Sequence, residues 1–430
     1  MKIFTAGMIM DISCSIRDFV LADHISMFFV WPLDNLIQKY IIRFWCFIVF
    51  EREVSVLEKT KSLIKIFKKD SILFISGILA AISCFFVRPD SGYIGYINFR
   101  VLAILFSLML VVSAYIRIGT FDYFTNKLLG KIHSEKNISL FLVILSFFMS
   151  MLLTNDVTLV TLVPFAINVL KAFKDRRRTM YTLILMTVSA NLGSMLTPIG
   201  NPQNLYLYTE YHITLFDFIK LMLPYSMVSL ILLVISVIML NKTDKTLDTA
   251  VTEEVSAPKL LPLLVYTALF VICLLTVSNI ISFMIMLGIV ALVVLIFDKK
   301  AFINIDYGLL FTFVFFFVLI GNLGRIDIIH DTLSRIIEKN VTLTAVLASQ
   351  FISNVPAAML LSAFTKKGPS LLIGTNLGGL GTLIASMASL ITYKFYNKEK
   401  KEGEHYLLSF TVINIVFLLI LLILYCVLSL

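Results

Sequence analysis

The chain has 430 residues, of which 59% are hydrophobic and only 15% are charged. A soluble protein has about 25% charged residues, so this composition excludes a water-soluble globular protein and predicts a surface that largely faces lipid. The net charge of +9 comes from Lys and Arg clusters between apolar segments. That is the positive-inside pattern of membrane proteins, not the basic face of a nucleic-acid-binding domain.

Residues 1–58 differ in character from the rest of the chain. Both tryptophans lie there, and the apolar stretch 25–50 contains Asp34, Lys39 and Arg43. Such charges make a poor spanning helix, and the segment also lacks the charged leader and small-residue cleavage site of a signal peptide. We expect either an interfacial segment or a chain start placed too early, and we assign no function to it.

After residue 70 the sequence alternates between apolar segments and short charged connections. About nine of the apolar segments are long enough to span a bilayer core of ~30 Å. They are 71–87, 98–116, 180–207, 215–240, 260–278, 280–297, 307–322, 369–393 and 406–428. We therefore predict an all-α polytopic membrane protein.

Two further apolar segments, 138–170 and 341–364, are interrupted near their middles by polar residues. The first contains Thr154-Asn155-Asp156, and the second contains Ser353-Asn354 followed by Val355. We predict that each is a re-entrant helical hairpin. The hairpin at 138–170 leaves the most basic loop, 171–178, in the cytoplasm, where Lys and Arg concentrate. The same count predicts a cytoplasmic N-terminus and an outside C-terminus in the cell membrane.

The polar interruptions belong to an internal repeat. Asn191-Leu192-Gly193 corresponds to Asn376-Leu377-Gly378, and each glycine is followed four residues later by a threonine, Thr197 or Thr382. An odd number of crossings separates the two copies, so we predict inverted repeats, the architecture of many secondary transporters. The predicted divisions are an atypical segment 1–58, repeat 59–240, a loop and linker span 241–279, and repeat 280–430.

Each repeat also contains a span that cannot be a continuous helix. Two prolines and two glycines lie within ten residues of the first, and four glycines lie within eight residues of the second. Irregular backbone at membrane depth is tolerated where it lines a cavity, although the spacing of Gly374 and Gly378 also suits helix packing. We predict that the hairpin tips and broken spans form a substrate or ion site. Its candidate residues are Thr154, Asn155, Asp156, Asn191, Gly193, Thr197, Pro198, Gly200, Asn201, Asn204, Ser353, Asn354, Val355, Asn376, Gly378 and Thr382.

Asp156 is the acidic residue in the interior of the predicted membrane segments. A carboxylate at that depth is expensive and suggests a functional role. It would bind a coupling Na⁺ or take up a coupling proton, and the alternative is a capping residue at the hairpin turn. The second tip has Val355 at the matching position, so the two tips differ chemically.

In these motifs, over about residues 60–430, the chain resembles the ion transporter superfamily of citrate and dicarboxylate permeases, arsenite permeases and one class of Na⁺/H⁺ antiporters. It looks most similar to the citrate-transporter-like, divalent-anion permease group. In dicarboxylate members a Ser-Asn-Thr motif at each tip binds substrate and Na⁺. Both asparagines of that motif are kept here, but Asp156 and Val355 replace its threonines. Asp156 is closer to the arsenite and antiporter branches.

The resemblance implies an ion-coupled transporter of a small anion, such as citrate or a dicarboxylate. It also implies a homodimer with elevator-like motion and transient Na⁺ binding at Asn155, Asp156 and Asn354. An arsenite permease or Na⁺/H⁺ antiporter is the alternative, and a channel or intramembrane enzyme is more remote. An enzyme would need a second catalytic group at membrane depth beside Asp156. We expect no cofactor besides the coupling ion, because the five cysteines are scattered and no histidine lies at ligand spacing.

Overall fold

The computed structural model describes residues 71–129, 132, 134–240, 256–398 and 405–429. The predicted atypical segment 1–58 lies outside these residues. The chain divides into one unit of residues 1–71 with 89–95 and another of residues 72–88 with 96–430. The first unit is described only at Ser71 and at 89–95, where the single-turn helix Tyr93–Tyr96 begins.

The regular elements among the described residues are helices, as the sequence predicts. In chain order they are α1 (Ser71–Phe86), α2 (Tyr93–Tyr96), α3 (Phe99–Arg117), α4 (Thr120–Leu129), α5 (Glu135–Leu153), α6 (Asn155–Lys171), α7 (Arg176–Ser194), α8 (Pro202–Glu210), α9 (Leu215–Leu240), α10 (Leu260–Val277), α11 (Phe283–Phe297), α12 (Tyr307–Gly324), α13 (Asp327–Lys339), α14 (Val341–Ile352), α15 (Asn354–Ser362), α16 (Gly368–Leu377), α17 (Met387–Lys398) and α18 (Tyr406–Leu428). A short 3₁₀ helix, Lys299–Asn304, precedes α12.

Six helices of the described chain are long and apolar enough to cross a membrane, namely α3, α5, α9, α10, α12 and α18. Shorter apolar helices cover Ile72–Phe86, Phe283–Phe297 and Val341–Ile352. Large apolar side chains such as Ile231 on α9 and Ile423 on α18 are exposed, as expected for a surface that meets lipid. These features confirm an all-α polytopic membrane protein.

The helices that are long enough to span a membrane do not all coincide with the predicted spans. Segments 71–87 and 280–297 form helices of only 16 and 15 residues. By contrast α5, the first arm of a predicted hairpin, has 19 residues and is long enough to span. The segments 180–207 and 369–393 each divide into two helices, because prolines and glycines in the first and glycines in the second interrupt the backbone hydrogen-bond ladder.

Each predicted hairpin is two helices separated by one residue. Thr154 separates α5 from α6 with φ 82° and ψ 149°. Ser353 separates α14 from α15 with φ 72° and ψ 154°. This backbone conformation is rare for residues other than glycine and reverses the chain within one residue. In both cases the two helices pack against each other, so both segments turn back as predicted.

The broken spans flank the hairpins. We call α7, residues 195–201 and α8 the first broken segment, and α16, residues 378–386 and α17 the second. The packing is reciprocal: α6 of the first hairpin contacts α17, and α15 of the second hairpin contacts α8. Each hairpin therefore packs on the broken segment of the other half. The inverted arrangement of the two halves in a membrane stays a prediction.

Close approach of helices explains one glycine in each half. A Cβ at Gly193 would overlap the carbonyl oxygen of Phe147, and one at Gly378 would lie 2.6 Å from Ser349 Oγ. These glycines let α7 and α16 lie directly against the first arms of their hairpins. Their role is thus to allow this close packing.

A buried ion pair holds the first hairpin to the first broken segment. Arg178 Nη1 donates to Glu135 Oε2 at 2.8 Å, and the Glu135 side chain has no exposed surface. Arg178 Nε also lies 3.4 Å from Asp175 Oδ2. The basic run 176–178 is predicted from the sequence only to orient the chain in the membrane. The structure shows that one of its arginines also pairs with a buried carboxylate.

Candidate functional site

The two hairpin tips use their asparagines in the same way. The backbone N–H of Asn155 donates to Gly200 O at 3.2 Å, and that of Asn354 donates to Ala385 O at 3.0 Å. Each side-chain oxygen accepts from the next backbone N–H, Asp156 N at 2.8 Å and Val355 N at 3.0 Å. Each tip is therefore fastened to the broken segment of its own half.

Side-chain amides then connect the two halves. Asn155 Nδ2 donates to Asn191 Oδ1 at 2.8 Å, and that oxygen also accepts from Ser386 Oγ at 3.0 Å. On the other side, Asn376 Nδ2 donates to Asn204 Oδ1 at 2.7 Å. The predicted residues Asn191, Asn204 and Asn376 thus lie in the buried contact between the broken segments.

The predicted threonines anchor the interrupted backbone to the hairpins. Thr197 Oγ1 donates to Met151 O, and Thr382 Oγ1 donates to Gln350 O at 3.1 Å. Thr197 Oγ1 also accepts from Gly200 N at 3.1 Å. Both hydroxyls are therefore already engaged, and they position the loops.

The first loop is too crowded for a side chain at Gly200, where a Cβ would overlap the carbonyl oxygen of Ser194. Pro198 is buried in the same loop. Asn204 Nδ2 donates to Ser194 O and to Thr197 O, both at 3.2 Å. The loop backbone is thus held by side chains, as irregular backbone away from water requires.

A narrow cavity lies where the tips and broken segments meet. Its lining residues are Asn155, Asp156, Asn201, Pro202, Gln203, Leu309, Asn354, Val355, Ser386 and Met387. Five predicted site residues line it, namely Asn155, Asp156, Asn201, Asn354 and Val355. The other predicted residues do not line this cavity; they are Thr154, Asn191, Gly193, Thr197, Pro198, Gly200, Asn204, Ser353, Asn376, Gly378 and Thr382.

Five lining residues lie outside the predicted set, and the sequence marks them to different degrees. Ser386 follows Thr382 at the same interval at which Asn201 follows Thr197, so the repeat could have identified it. Pro202 and Gln203 come directly after the interruption 195–201, as the first two residues of α8. Leu309 and Met387 are apolar residues near helix starts, and no pattern in the sequence marks them.

Four helices begin at the cavity. The first residues of α6, α8, α15 and α17 are Asn155, Pro202, Asn354 and Met387, and each lines it. A helix N-terminus has a partial positive charge equivalent to roughly +0.5. Converging N-termini therefore give the cavity a positive potential that favours negative charge.

The described lining residues include one ionisable side chain and several polar atoms without a hydrogen-bond partner. Asp156 is the ionisable side chain among the described lining residues, and its Oδ1 is buried without a hydrogen-bond partner in the described chain. The same is true of Asn201 Oδ1 and of both polar atoms of Gln203. The described residues contain no cluster of three or more His, Cys, Asp or Glu side chains. A cation or a proton entering this cavity would therefore bind at the Asp156 carboxylate.

The family model for citrate transporters matches residues 47–368, more than half of the chain. An uncharacterized transporter of Methanocaldococcus jannaschii is 34% identical over 317 residues, 73% of this chain and 85% of that protein. The inner membrane protein YbiR of Escherichia coli is 28% identical over 335 residues, 76% of this chain and 88% of its own length.

A more limited match is to a plant protein. The silicon efflux transporter LSI3 of Oryza sativa subsp. japonica is 32% identical over 139 residues, which is 32% of this chain and 28% of the plant protein. Two of these three relatives are transporters by name, and the third is an inner membrane protein.

Proposed function

We propose that this chain, which belongs to the citrate transporter family of membrane transporters, is a secondary active carrier of a small anion. The proposed substrate is a carboxylate such as citrate or a dicarboxylate, coupled to Na⁺ or H⁺. The proposed site is the cavity between the hairpin tips and the broken segments. We also propose that the carrier acts as a homodimer in the cell membrane, with its N-terminus in the cytoplasm.

One observation supports this proposal most strongly: four helix N-termini converge on a cavity whose ionisable side chain is Asp156. The N-termini attract an anion, whereas the Asp156 carboxylate repels it. A cation or proton at Asp156 removes that repulsion. The anion is then bound well only when the coupling ion is present, which is the requirement for symport.

The proposal is tested by uptake into proteoliposomes with imposed Na⁺ or pH gradients, using labelled citrate, succinate, sulfate and arsenite. We expect the wild type to accumulate one anion when a gradient is imposed. The isosteric variant Asp156→Asn should bind the anion without the cation, because its side chain is neutral. It should therefore lose gradient-driven accumulation while keeping exchange of labelled for unlabelled anion.

The control variant is Asn414→Asp, which places a carboxylate on α18, away from the cavity. If that variant folds, its uptake should keep the coupling-ion dependence of the wild type. Full gradient-driven accumulation by Asp156→Asn would contradict the role of Asp156. Absence of uptake of every anion by folded wild-type protein would contradict the substrate class.

A second function is favoured by the same carboxylate. Asp156 Oδ1 has no protein partner in the described chain, and a cavity with one free carboxylate suits exchange of a proton or Na⁺. An arsenite permease or Na⁺/H⁺ antiporter is therefore the alternative. Na⁺-dependent proton movement without anion uptake would support the antiporter, and arsenite movement alone would support the permease.

A further inference from the structure

Gln203 is a lining residue whose two polar side-chain atoms both lack a hydrogen-bond partner in the described chain. It follows Pro202 at the start of α8, is 1% exposed and lines the cavity. Neither Oε1 nor Nε2 has a hydrogen-bond partner among the described residues. Burying an amide without partners is costly, so a group that enters the cavity is expected to supply them.

Gln350 shows how a glutamine is satisfied elsewhere in the same membrane region. Its Nε2 donates to Val346 O at 3.2 Å, Gly378 O at 3.0 Å and Leu380 O at 2.8 Å. Its Oε1 accepts from Thr382 N at 2.9 Å. Gln350 therefore has a complete structural role, and Gln203 does not.

The orientation of the neighbouring amide is fixed by a serine. Ser194 Oγ donates to Asn191 O at 2.9 Å, so its remaining capacity is to accept. It accepts from Asn201 Nδ2 at 2.6 Å, which assigns the other amide atom of Asn201 as the oxygen. That oxygen is buried without a partner in the described chain.

The unpartnered atoms of the cavity lining are mostly acceptors. Asp156 Oδ1, Asn201 Oδ1 and Gln203 Oε1 can each accept a hydrogen bond but have no donor in the described chain. Gln203 Nε2 is the donor among these unpartnered atoms. A coupling cation can neutralise Asp156, but it leaves the amide pair of Gln203 to be matched. A carboxylate offers only acceptors, so it would satisfy Nε2 and leave Oε1 unpaired.

We infer that Gln203 is a specificity-determining residue that recognises a hydroxyl group on the transported anion. Gln203 Oε1 accepts from that hydroxyl, and Nε2 donates to a neighbouring oxygen of the same solute. The substrate class is therefore a small hydroxy acid in preference to the same acid without its hydroxyl. This inference rests on the proposed function and deepens it.

The test uses two matched pairs of anions that differ by one hydroxyl: citrate with tricarballylate, and malate with succinate. Competition for uptake is measured in proteoliposomes at constant pH and saturating coupling ion. We expect the wild type to bind each hydroxylated anion roughly tenfold more tightly or better, because the analogue leaves a buried acceptor unpaired. In Gln203→Met the two members of each pair should differ by no more than about twofold.

Gln350→Met is the matched control, because it removes an amide of the same kind that the protein already satisfies. If it folds, it should keep the wild-type preference. Gln203→Asn, which shortens the side chain and keeps the amide, provides a second reading should the Met variant fail to fold. It should weaken the preference without abolishing uptake.

The outcomes separate the two proposals. Uptake of a matched pair by wild type with equal affinity overturns the inference about Gln203 and leaves the anion carrier intact. A hydroxyl preference that survives in both Gln203 variants also overturns it. No uptake of any of the four anions by folded wild type overturns the substrate class and, with it, the inference.

Discussion

At the scale of single residues, the glycines of the helices differ in how closely they are surrounded. A Cβ added at Gly193 would overlap the Phe147 carbonyl, whereas a Cβ added at Gly288 on α11 would have nothing within 4 Å. The same substitution should therefore have opposite consequences at the two positions, because one site is filled and the other is open.

We predict that Gly193→Ala lowers stability by about 1–3 kcal/mol through overpacking. Gly288→Ala should be neutral or slightly stabilising, because alanine favours a helix by up to about 1 kcal/mol over glycine. Thermal unfolding of the purified variants in detergent measures both. Equal melting temperatures for the two variants would show that the α5–α7 contact is looser than described.

Single residues also show which parts of the site can be predicted from the sequence. Thr154 and Ser353 can be recognised as tips because polar residues interrupt apolar runs, a signal confined to a few adjacent positions. Gln203 carries no such signal, since its importance depends on which of its neighbours fail to satisfy it. That property exists only in three dimensions.

At the scale of elements, the Glu135–Arg178 pair fixes the base of α5 to the start of α7. Its partners are 43 residues apart in the chain. No local pattern pairs them, and so the sequence could not reveal the contact.

The hairpins are predictable because each is a local feature, while the number of long helices depends on where glycines and prolines break the backbone.

We predict that Glu135→Leu destabilises the protein by about 1–3 kcal/mol, because it removes the buried partner of the Arg178 guanidinium, which keeps its longer contact with Asp175. The double variant Glu135→Leu/Arg178→Met should recover most of that loss. Arg117→Met is the control: its pair with Asp298 is partly exposed, so its loss should cost at most about 1 kcal/mol. Denaturation of the purified variants distinguishes these cases, and a double variant as unstable as Glu135→Leu would refute the pairing argument.

At the scale of the whole molecule, the two halves complete each other. Hairpin arm α6 packs on α17, α15 packs on α8, and the bonds Asn376–Asn204 and Asn191–Ser386 join the broken segments. Buried polar groups of this kind need their partners, so neither half should keep its site alone.

We predict that the chain cut between residues 240 and 256 forms a functional complex when both pieces are co-expressed. Co-purification through a tag on one piece and anion uptake by the pair are the measurements. Asn191→Leu should reduce recovery of the second piece, because it removes a bond across the halves. A single piece that is monodisperse and binds anion by itself would contradict this interdependence.

The first hairpin tip has a carboxylate, Asp156, where the second has the uncharged Val355, and this single charge has an electrical consequence. If the empty site moves across the membrane with its carboxylate ionised, one negative charge crosses the membrane field. Moving one elementary charge through 100 mV requires about 2.3 kcal/mol, enough to change the distribution between inward- and outward-facing carriers by well over tenfold. The resting carrier would then respond to voltage before any solute arrives, and a capacitive current, absent in Asp156→Asn, would report it.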